Sequence, residues 1–251
     1  MSSIIIKSKE EIEKIRQAGA ILAEVYDLLR SYIRPGVTTA QIDAFVDRFI
    51  KKHGASPTFK SVPGYRHATC ISINNEVVHG IPSKKKVVKR GDIVKVDSGA
   101  TLRGYIGDST QVFVMPGASD EAKQLVDVTK KCLDLGIEQC VIGNHLGDIG
   151  AAIQQYAESF GYGVVREYTG HGTGVHLHEE PSIPHYGVKG TGIVLREGMV
   201  LAIEPMINQG TYRCRVLSDG WTVVTEDGKL SCQWEHTVAI TKDGPEILTA
   251  R

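Results

Sequence analysis

Residues 93–114, IVKVDSGATLRGYIGDSTQVFV, have the pattern of two β-strands joined by a tight turn. Both arms alternate apolar and polar residues, and Gly104 between them is typical of a hairpin loop. A hairpin centred near Leu102-Arg103 places Asp97 and Asp108 opposite each other on one face of the ribbon. Opposed residues have Cβ atoms about 4.5–5.5 Å apart, a separation at which two like charges are unfavourable.

The repulsion between these two carboxylates must be offset. Coulomb's law gives about 3 kcal/mol for two charges about 5 Å apart at an effective dielectric near 20, a sizeable part of a domain stability of about 5–15 kcal/mol. One remedy is a shared proton, as in acid proteases. Another is a pair of divalent metal ions about 3.5–4 Å apart. The ordinary alternative is that one aspartate caps the turn while the other is solvated.

Composition and charge exclude several classes of function. The chain has 251 residues, with 29 basic and 29 acidic side chains, which suits one large domain or two small ones and points to neither nucleic acid nor an anionic membrane. Its five scattered cysteines contain no CxxC pair, which argues against a disulfide framework or a structural zinc module and suits a reducing cytosol. Since Ile4-Ile5-Ile6 is too short for a signal peptide and no run approaches 18 apolar residues, we expect a soluble, cytoplasmic protein.

Hydrophobic periodicity predicts four helices and seven strands. The helices cover residues 9–30, 38–53, 119–141 and 145–160. The strands cover residues 69–78, 93–97, 108–114, 163–171, 199–207, 221–225 and 234–240. Strands that return in hairpins beside paired helices indicate an α+β domain with a mostly antiparallel sheet. The basic run at residues 84–90 is interpreted as a solvated loop rather than an RNA contact.

An internal repeat relates the two pairs of helices at a constant offset of 107 residues. The aligned positions are Pro35-Gly36 with Ile142-Gly143, Ile42 with Ile149, Ala44 with Ala151, and Gly54 with Gly161. A single repeat of this length suggests duplicated halves packed about a pseudo-two-fold axis. We therefore expect one domain over residues 1–251, with internal repeats of roughly 9–115 and 116–245.

Three more ionisable residues stand where apolar strands should continue. Glu204 ends one apolar run, Glu235 opens another, and His171 lies among glycines. A buried strand glutamate is costly unless it is paired or binds a metal. Taken singly, each residue has an ordinary interpretation as part of a salt bridge or a bond to a backbone carbonyl. Together with Asp97 and Asp108, they form a carboxylate-rich set with one imidazole, which favours manganese, iron, cobalt or zinc.

These five residues and the strings around them closely resemble the type I methionine aminopeptidases. The strings are HGIP at residues 79–82, GHG at 170–172, HEEP at 178–181 and IEPM at 203–206. The resemblance runs from the first helix to the final strand. It implies the pita-bread fold, with duplicated halves and a central curved, mostly antiparallel sheet covered by helix pairs. It also implies hydrolytic removal of the initiator methionine from nascent chains whose second residue is small.

The resemblance assigns each of the five residues a role around two divalent metal ions. Asp97 would bind one metal through both oxygens, while Asp108 and Glu235 would bridge the two ions. His171 and Glu204 would complete the coordination of the other metal. Glu204 would also shuttle the proton of a water activated by the metals. The same ligands accept cobalt, manganese, iron or zinc, so the residues do not name the ion.

Two further histidines and an apolar pocket follow from the same resemblance. His79 and His178 would hydrogen-bond the scissile amide and stabilise the tetrahedral oxyanion, although His79 alone fits an ordinary turn histidine. Tyr65, Cys70 and Trp221 would line the pocket for the methionine side chain, whose thioether packs well against aromatic edges. His176, a neighbour of His178, could tune the nearby protonation, but we expect it to point to solvent. The presence of Phe59, Val62 and Leu177 leaves the shape of the pocket open.

The resemblance also implies the setting and leaves two alternatives. Substrates would be nascent polypeptide N-termini at the ribosome, and the protein would be a monomer without membrane or sequence-specific nucleic-acid partners. Met1-Ser2 has a small second residue, so self-processing is a further hypothesis. A proline-selective relative, prolidase or aminopeptidase P, shares the ligand set but usually carries an additional N-terminal domain, for which a first helix at about Lys9 leaves no room. A metal-free pita-bread protein that binds the ribosome or RNA is disfavoured because all five ligands are present.

Overall fold

Four α-helices lie in two pairs in a computed structural model that describes residues 3–250. They are α1 (Lys9–Tyr32), α2 (Thr39–Lys52), α3 (Asp120–Glu138) and α4 (Leu146–Ser159), which confirms all four predicted helices to within three residues at each end. Capping boxes begin the first pair: Ser8 with Glu11 at α1, and Thr38 with Gln41 at α2. The self-processing hypothesis concerns Met1-Ser2, which lie outside the described residues.

Apolar stripes join the helices to the sheet. On α1 every predicted inward residue is buried: Ile12, Ile15, Ala18, Gly19, Leu22, Val25 and Leu29. On α2 the buried apolar residues are Ile42, Val46 and Ile50, whereas Phe45 and Phe49, predicted to point inward, are only partly buried against the same core. A second core is formed largely by α3, α4 and the strands beneath them. Within residues 3–250, no helix combines the length and apolar character needed to cross a membrane.

Fourteen strands form the sheets of the described part of the chain. They are β1 (Ser56–Pro57), β2 (Thr69–Ile73), β3 (Ile93–Leu102), β4 (Tyr105–Val114), β5 (Gly163–Val164), β6 (Gly170–Gly172), β7 (Glu179–Ile183), β8 (Val200–Ile203), β9 (Met206–Asn208), β10 (Cys214–Val216), β11 (Val223–Thr225), β12 (Ser231–Gln233), β13 (Glu235–Thr241) and β14 (Gly244–Ile247), and a 3-10 helix covers Thr58–Ser61.

The largest sheet has nine strands and is antiparallel throughout. Its path is β1-β3-β4-β13-β8-β6-β7, with β2 beside β3 and β14 beside β13. Two small sheets, β10-β11 and β12-β9-β5, complete the set. Helix α1 crosses β4 closely at Gly19 and Gly107. A Cβ on Gly107 would lie 2.7 Å from the Cα of Gly19, so the close approach requires glycine at position 107. The fold is α+β with an antiparallel central sheet, as predicted.

Four predicted strands are shorter or broken, and one of them, predicted at 221–225, begins only at Val223. The strand predicted at 69–78 ends at Ile73, because Asn74 has a φ of +55° and turns the chain. The strand predicted at 199–207 is divided into β8 and β9, which lie in different sheets. Glu204-Pro205 separates them, and a proline cannot donate to the ladder. The strand predicted at 163–171 is likewise divided into β5 and β6. Five short strands, β1, β7, β10, β12 and β14, were not predicted because their lengths of two to five residues give no clear alternation.

The register of the β3-β4 hairpin differs from the prediction. Its loop consists of Arg103 and Gly104, with φ values of +51° and +84°, and such positive angles match the twist of the flanking strands. In this register Asp97 faces Thr110. The prediction that Asp97 and Asp108 are directly opposed is therefore wrong. Because Asp108 lies two residues before Thr110, it is a diagonal neighbour of Asp97 on the same face of the ribbon.

Matched features recur along the chain at the offset of 107 residues. Helices α2 and α4 each contain 14 residues and begin at Thr39 and Leu146. Equivalent backbone contacts join Gly36 to Val88 and Gly143 to Leu195, and isolated bridges join Thr38 to Val87 and His145 to Val194. The same offset relates Asp97 on β3 to Glu204 at the end of β8. These pairs support the proposal that residues 9–115 and 116–245 are two copies of one unit within a single domain.

Candidate active site

A cavity of about 560 Å³ opens over the centre of the nine-stranded sheet, and all ten predicted site residues line it: Tyr65, Cys70, His79, Asp97, Asp108, His171, His178, Glu204, Trp221 and Glu235. The five predicted metal ligands come from five neighbouring strands. Asp97 lies on β3, Asp108 on β4, Glu235 on β13 and His171 on β6, while Glu204 directly follows β8. Adjacent antiparallel strands thus bring together residues that are up to 138 positions apart in the chain.

The ligand atoms of three of these residues form a compact group. One atom each from Asp108, His171 and Glu235 lie within 4.8 Å of one another. His171 Nε2 is also 3.4 Å from Glu204 Oε1 and 3.9 Å from Asp108 Oδ2. Zinc-type ions bind nitrogen and oxygen at about 2.0–2.2 Å, so atoms at these separations can share a single ion. Asp97 lies outside this group of three, beside Asp108 and Glu235.

Two buried carboxylate oxygens have no hydrogen-bond partner among the described residues. They are Oδ1 of Asp97 and Oδ1 of Asp108. Neither residue forms a salt bridge with a lysine or arginine of residues 3–250. Leaving a buried charge without a partner is costly, and proteins resolve such a cost with a proton or a metal ion. The donor set, four carboxylates and one imidazole, fits a divalent cation of the manganese, iron, cobalt or zinc type.

Burial sets the protonation of the site when no cation is bound. It raises the pKa of Asp97 to about 7, and burial together with neighbouring carboxylates raises the pKa of Asp108, Glu204 and Glu235 well above the ordinary range. Burial also lowers the pKa of His171 to about 3, which leaves a neutral imidazole. A bound divalent cation would be held by these carboxylates in their ionised form and by the imidazole in this neutral form.

Three residues that were not predicted from the sequence form hydrogen bonds to the predicted metal ligands. Thr110 donates a 2.9 Å hydrogen bond to Glu235 Oε2 and also interacts with Asp97. Gln233 donates to Glu204 Oε2 at 3.0 Å, and the buried His185 accepts the backbone N–H of Glu204 at 3.2 Å. Partners of this kind orient metal ligands and tune their basicity. Strand alternation offered a signal for one of them, because Thr110 lies two residues from Asp108 on β4.

His171 is held in one tautomer by its own strand. Its Nδ1 lies 3.0 Å from the carbonyl oxygen of Gly172. Because a carbonyl only accepts, the proton of the neutral ring resides on Nδ1. The lone pair of Nε2 is therefore free to face Asp108 and Glu204.

His79 and His178 stand beside this group in the cavity. The ring of His178 meets that of His171 edge-on, with centroids 4.4 Å apart. Burial and the neighbouring His178 lower the pKa of His79 to about 4, and burial lowers the pKa of His178 as well. Both rings are thus neutral near pH 7 and each can donate one N–H to a ligand. His79 adopts a φ of +58°, so it is held in an unusual turn.

An apolar pocket adjoins the polar group. Phe59, Tyr65 and Cys70 are buried there, and the pocket is completed by Val62, Ile81, Leu177 and Trp221. The rings of Tyr65 and Trp221 meet edge-on at 4.9 Å. The pocket can enclose an unbranched apolar side chain next to the carboxylates. His176 is exposed at the rim of the cavity, as predicted.

The fold and the site define a pita-bread metallohydrolase. The sequence profile of metallopeptidase family M24 matches residues 13–242. The chain is 53% identical to a methionine aminopeptidase of Clostridium acetobutylicum over 98% of each chain. The crystal structure of methionine aminopeptidase from Thermotoga maritima, 46% identical, superposes with a TM-score of 0.97 over 99% of this chain and 100% of that one. The chain belongs to metallopeptidase family M24 and, within it, to the methionine aminopeptidases.

The same fold occurs in proline-selective relatives at lower similarity. Prolidase from Pyrococcus furiosus is 27% identical and superposes with a TM-score of 0.80. The match covers 98% of this chain but 66% of that protein. Membership in the family makes this chain a metal-dependent hydrolase that requires a divalent cation.

Proposed function

We propose that this chain removes the initiator methionine from polypeptides whose second residue is small, by hydrolysis assisted by two divalent metal ions. The observation that carries the proposal is the convergence of five ligand side chains from five adjacent strands next to an apolar pocket. The substrates would be nascent polypeptide N-termini at the ribosome in the cytoplasm, and the protein would act as a monomer. Relatives named methionine aminopeptidase support the choice of substrate.

Asp97, Asp108, His171, Glu204 and Glu235 would hold the two metal ions. When bound, divalent ions supply a water of lowered pKa that can attack an amide carbon near neutral pH. Glu204 would take up the proton of that water. The hydrogen bond from Gln233 keeps Oε2 in position. A proton held here can then be passed to the leaving amine.

The remaining residues would bind and orient the substrate. Phe59, Tyr65, Cys70 and Trp221 enclose the apolar side chain of the first residue and exclude water from it. His79 and His178 would donate N–H groups to the scissile amide and to the oxyanion that develops on its carbonyl oxygen. Because both rings are neutral, each can donate without adding a positive charge beside the metal ions.

The test is metal reconstitution with two substrate types. Chelator-treated protein is assayed on a Met-Gly peptide and on an X-Pro peptide while manganese, iron, cobalt or zinc is added back singly. We expect no hydrolysis before metal addition and release of methionine from the Met-Gly peptide afterwards. Preferential release from X-Pro peptides would assign the proline-selective function instead. Full activity without any metal would reject the proposed mechanism, and the ion that restores most activity would identify the favoured metal.

A further inference from the structure

Lys95 is a fully buried charged side chain that the proposed mechanism does not use. It is 1% exposed and is the largest fully buried side chain of the described residues. It lies on β3 two residues before Asp97, so the two side chains leave the same face of the strand. Among the salt bridges of residues 3–250, none involves Lys95. A lysine is almost never fully buried unless its charge is compensated.

The compensation comes from backbone carbonyl groups. The Nζ of Lys95 donates to the carbonyl oxygen of Asn74 at 2.9 Å and to that of Ser231 at 2.7 Å, and a third short bond reaches the carbonyl of Glu76. An ammonium has three N–H donors and no acceptor. The three carbonyls therefore use all of its donors, and only the charged form satisfies all three of them.

These carbonyls belong to two segments that lead directly into the site. Asn74 and Glu76 form the turn between β2 and His79. Ser231 opens β12, which ends at Gln233, and Glu235 opens β13 two residues further on. The backbone N–H of Ser231 also donates to the carbonyl of Asn74 at 3.1 Å, so the two segments touch beside the ammonium. One side chain of β3 thus ties the Asp97 strand to the segments of His79 and Glu235.

We propose that Lys95 is a positioning residue for peptide hydrolysis, because its buried ammonium clamps these three segments and sets the separations among Asp97, His79 and Glu235. The inference rests on the proposed function. Lys95 does not line the cavity, so it acts through the backbone and not by touching the substrate. Loss of the ammonium leaves three carbonyl oxygens without this donor, although Asn74 keeps its bond from Ser231. Without these bonds, the Asp97 strand, the turn before His79 and the segment before Glu235 are held together less firmly, while the rest of the fold keeps its contacts.

The test removes the ammonium and then returns it in solution. Lys95→Ala is compared with Lys85→Ala, a matched change at an exposed lysine in the loop before β3. We expect Lys95→Ala to lower kcat by about 10–100-fold. The affinity of the metal-free, chelator-treated protein for Mn²⁺ should fall by a similar factor, as it does when residues that hydrogen-bond to metal ligands are replaced. KM should change by less than about threefold, because the aromatic walls of the pocket are not held by the clamp. Ammonium chloride should restore part of both losses, whereas tetramethylammonium chloride, which has no N–H, should restore neither.

Several outcomes would overturn the proposal. One is unchanged kcat and Mn²⁺ affinity in folded Lys95→Ala, and another is equal rescue by both salts. If Lys95→Ala folds only in ammonium chloride, the clamp is supported; if it fails to fold in either salt, Lys95 has a purely structural role and the proposal is rejected. The Mn²⁺ affinity is measured by calorimetry without substrate. Failure of the proposed function would therefore appear as inactive wild-type protein, separately from the fate of the clamp.

Discussion

His171 Nε2 lies 3.4 Å from Glu204 Oε1, although the two groups do not form an ion pair. Burial lowers the pKa of His171 to about 3 and raises that of Glu204, so near pH 7 the imidazole is neutral. Its proton sits on Nδ1, which faces the Gly172 carbonyl. A nitrogen lone pair and a carboxylate oxygen are therefore directed at the same small space. This arrangement is expected of two ligands of one cation. Without a cation, the two groups contribute little to the stability of the fold.

Replacement of Asp108 tests the metal site directly. Asp108→Asn removes a charge from the group of three ligands while keeping the side-chain volume, so we expect loss of peptide hydrolysis by at least about 10³-fold with the fold retained. Circular dichroism and turnover of a Met-Gly peptide provide the measurements. Asp120→Asn, at the exposed start of α3, serves as the control and should leave turnover unchanged. Normal turnover in Asp108→Asn would rule out this site.

Thr110 should affect metal affinity without touching the metal itself. Thr110→Val removes the hydroxyl that donates to Glu235 and interacts with Asp97. We expect Mn²⁺ affinity to fall by about 10–100-fold, since partners that orient metal ligands have effects of this size. Titration calorimetry gives the affinity. Thr110→Ser keeps the hydroxyl and should bind nearly as well as wild type; equal affinities for the valine and serine variants would contradict the assigned role.

His178 should contribute to the rate more than to binding. His178→Ala removes an N–H donor from the position assigned to the developing oxyanion, and we expect kcat to fall by about 10²–10³-fold. Steady-state kinetics on the Met-Gly peptide separates kcat from KM. His176→Ala is a close control, because His176 lies two residues away on the same segment and is assigned no contact with the scissile amide or the oxyanion. Similar losses in both variants would indicate a general effect on the loop.

The stability of the metal-free protein should depend on pH through Asp97. Its pKa is raised from an ordinary 3.8 to about 7, so between these values the folded state holds a proton that the unfolded state has released. The contribution of Asp97 to the free energy of unfolding is therefore most favourable below about pH 4 and declines as pH rises to about 7, by at most about 1.4 kcal/mol per pH unit.

The comparison that tests this effect is wild type against Asp97→Asn, both treated with chelator, in urea titrations from pH 4 to 8. Because the Asp97 charge also raises the pKa of Asp108, Glu204 and Glu235, the difference reports Asp97 together with its effect on these carboxyls. The buried histidines have lowered pKa values, which favour folding as pH rises, but they are common to both proteins and cancel in the difference. We expect Asp97→Asn to gain stability relative to wild type as pH rises to about 7 and to remain level above it. A difference that is constant across this range would contradict the assignment.

Lys7 and Glu179 form a buried ion pair that should stabilise the loop of His178. Their side chains are 1% and 2% exposed, and Glu179 Oε1 also accepts the backbone N–H groups of Val175 and His176 at 2.7 and 2.8 Å. Lys7→Met leaves the carboxylate buried without its cation, so we expect a loss of about 3–5 kcal/mol. Urea denaturation measures the loss.

The exposed pair Lys14–Glu10 provides the control for this experiment. Lys14→Met should cost much less than Lys7→Met, because surface salt bridges contribute little. Equal costs for Lys7→Met and Lys14→Met would show that burial of the Lys7–Glu179 pair has no special effect.

Much of the site could be predicted because its ligands interrupt apolar strands. Glu204 and Glu235 stand out against their flanking residues, and the motifs around His79 and His178 identified the family. Thr110, Gln233 and His185 could not be assigned in this way. A threonine, a glutamine or a histidine near a strand has many ordinary uses. Only the tertiary structure shows that Thr110 donates to the Glu235 carboxylate, that Gln233 donates to the Glu204 carboxylate, and that His185 accepts the backbone N–H of Glu204.

The sequence by itself determined the four helices and the presence of the β3-β4 hairpin, because periodicity, caps and turn residues act over a few neighbouring positions. The predicted metal ligands came from the resemblance to a known family. Only the tertiary structure decided that Asp97 and Asp108 are diagonal rather than opposed, that residues 199–207 divide between two sheets, and that Lys95 bonds three carbonyls. Each of these depends on which distant strands become neighbours. Which strands pair depends on how the complete core is packed, and a local sequence pattern carries no information about that packing.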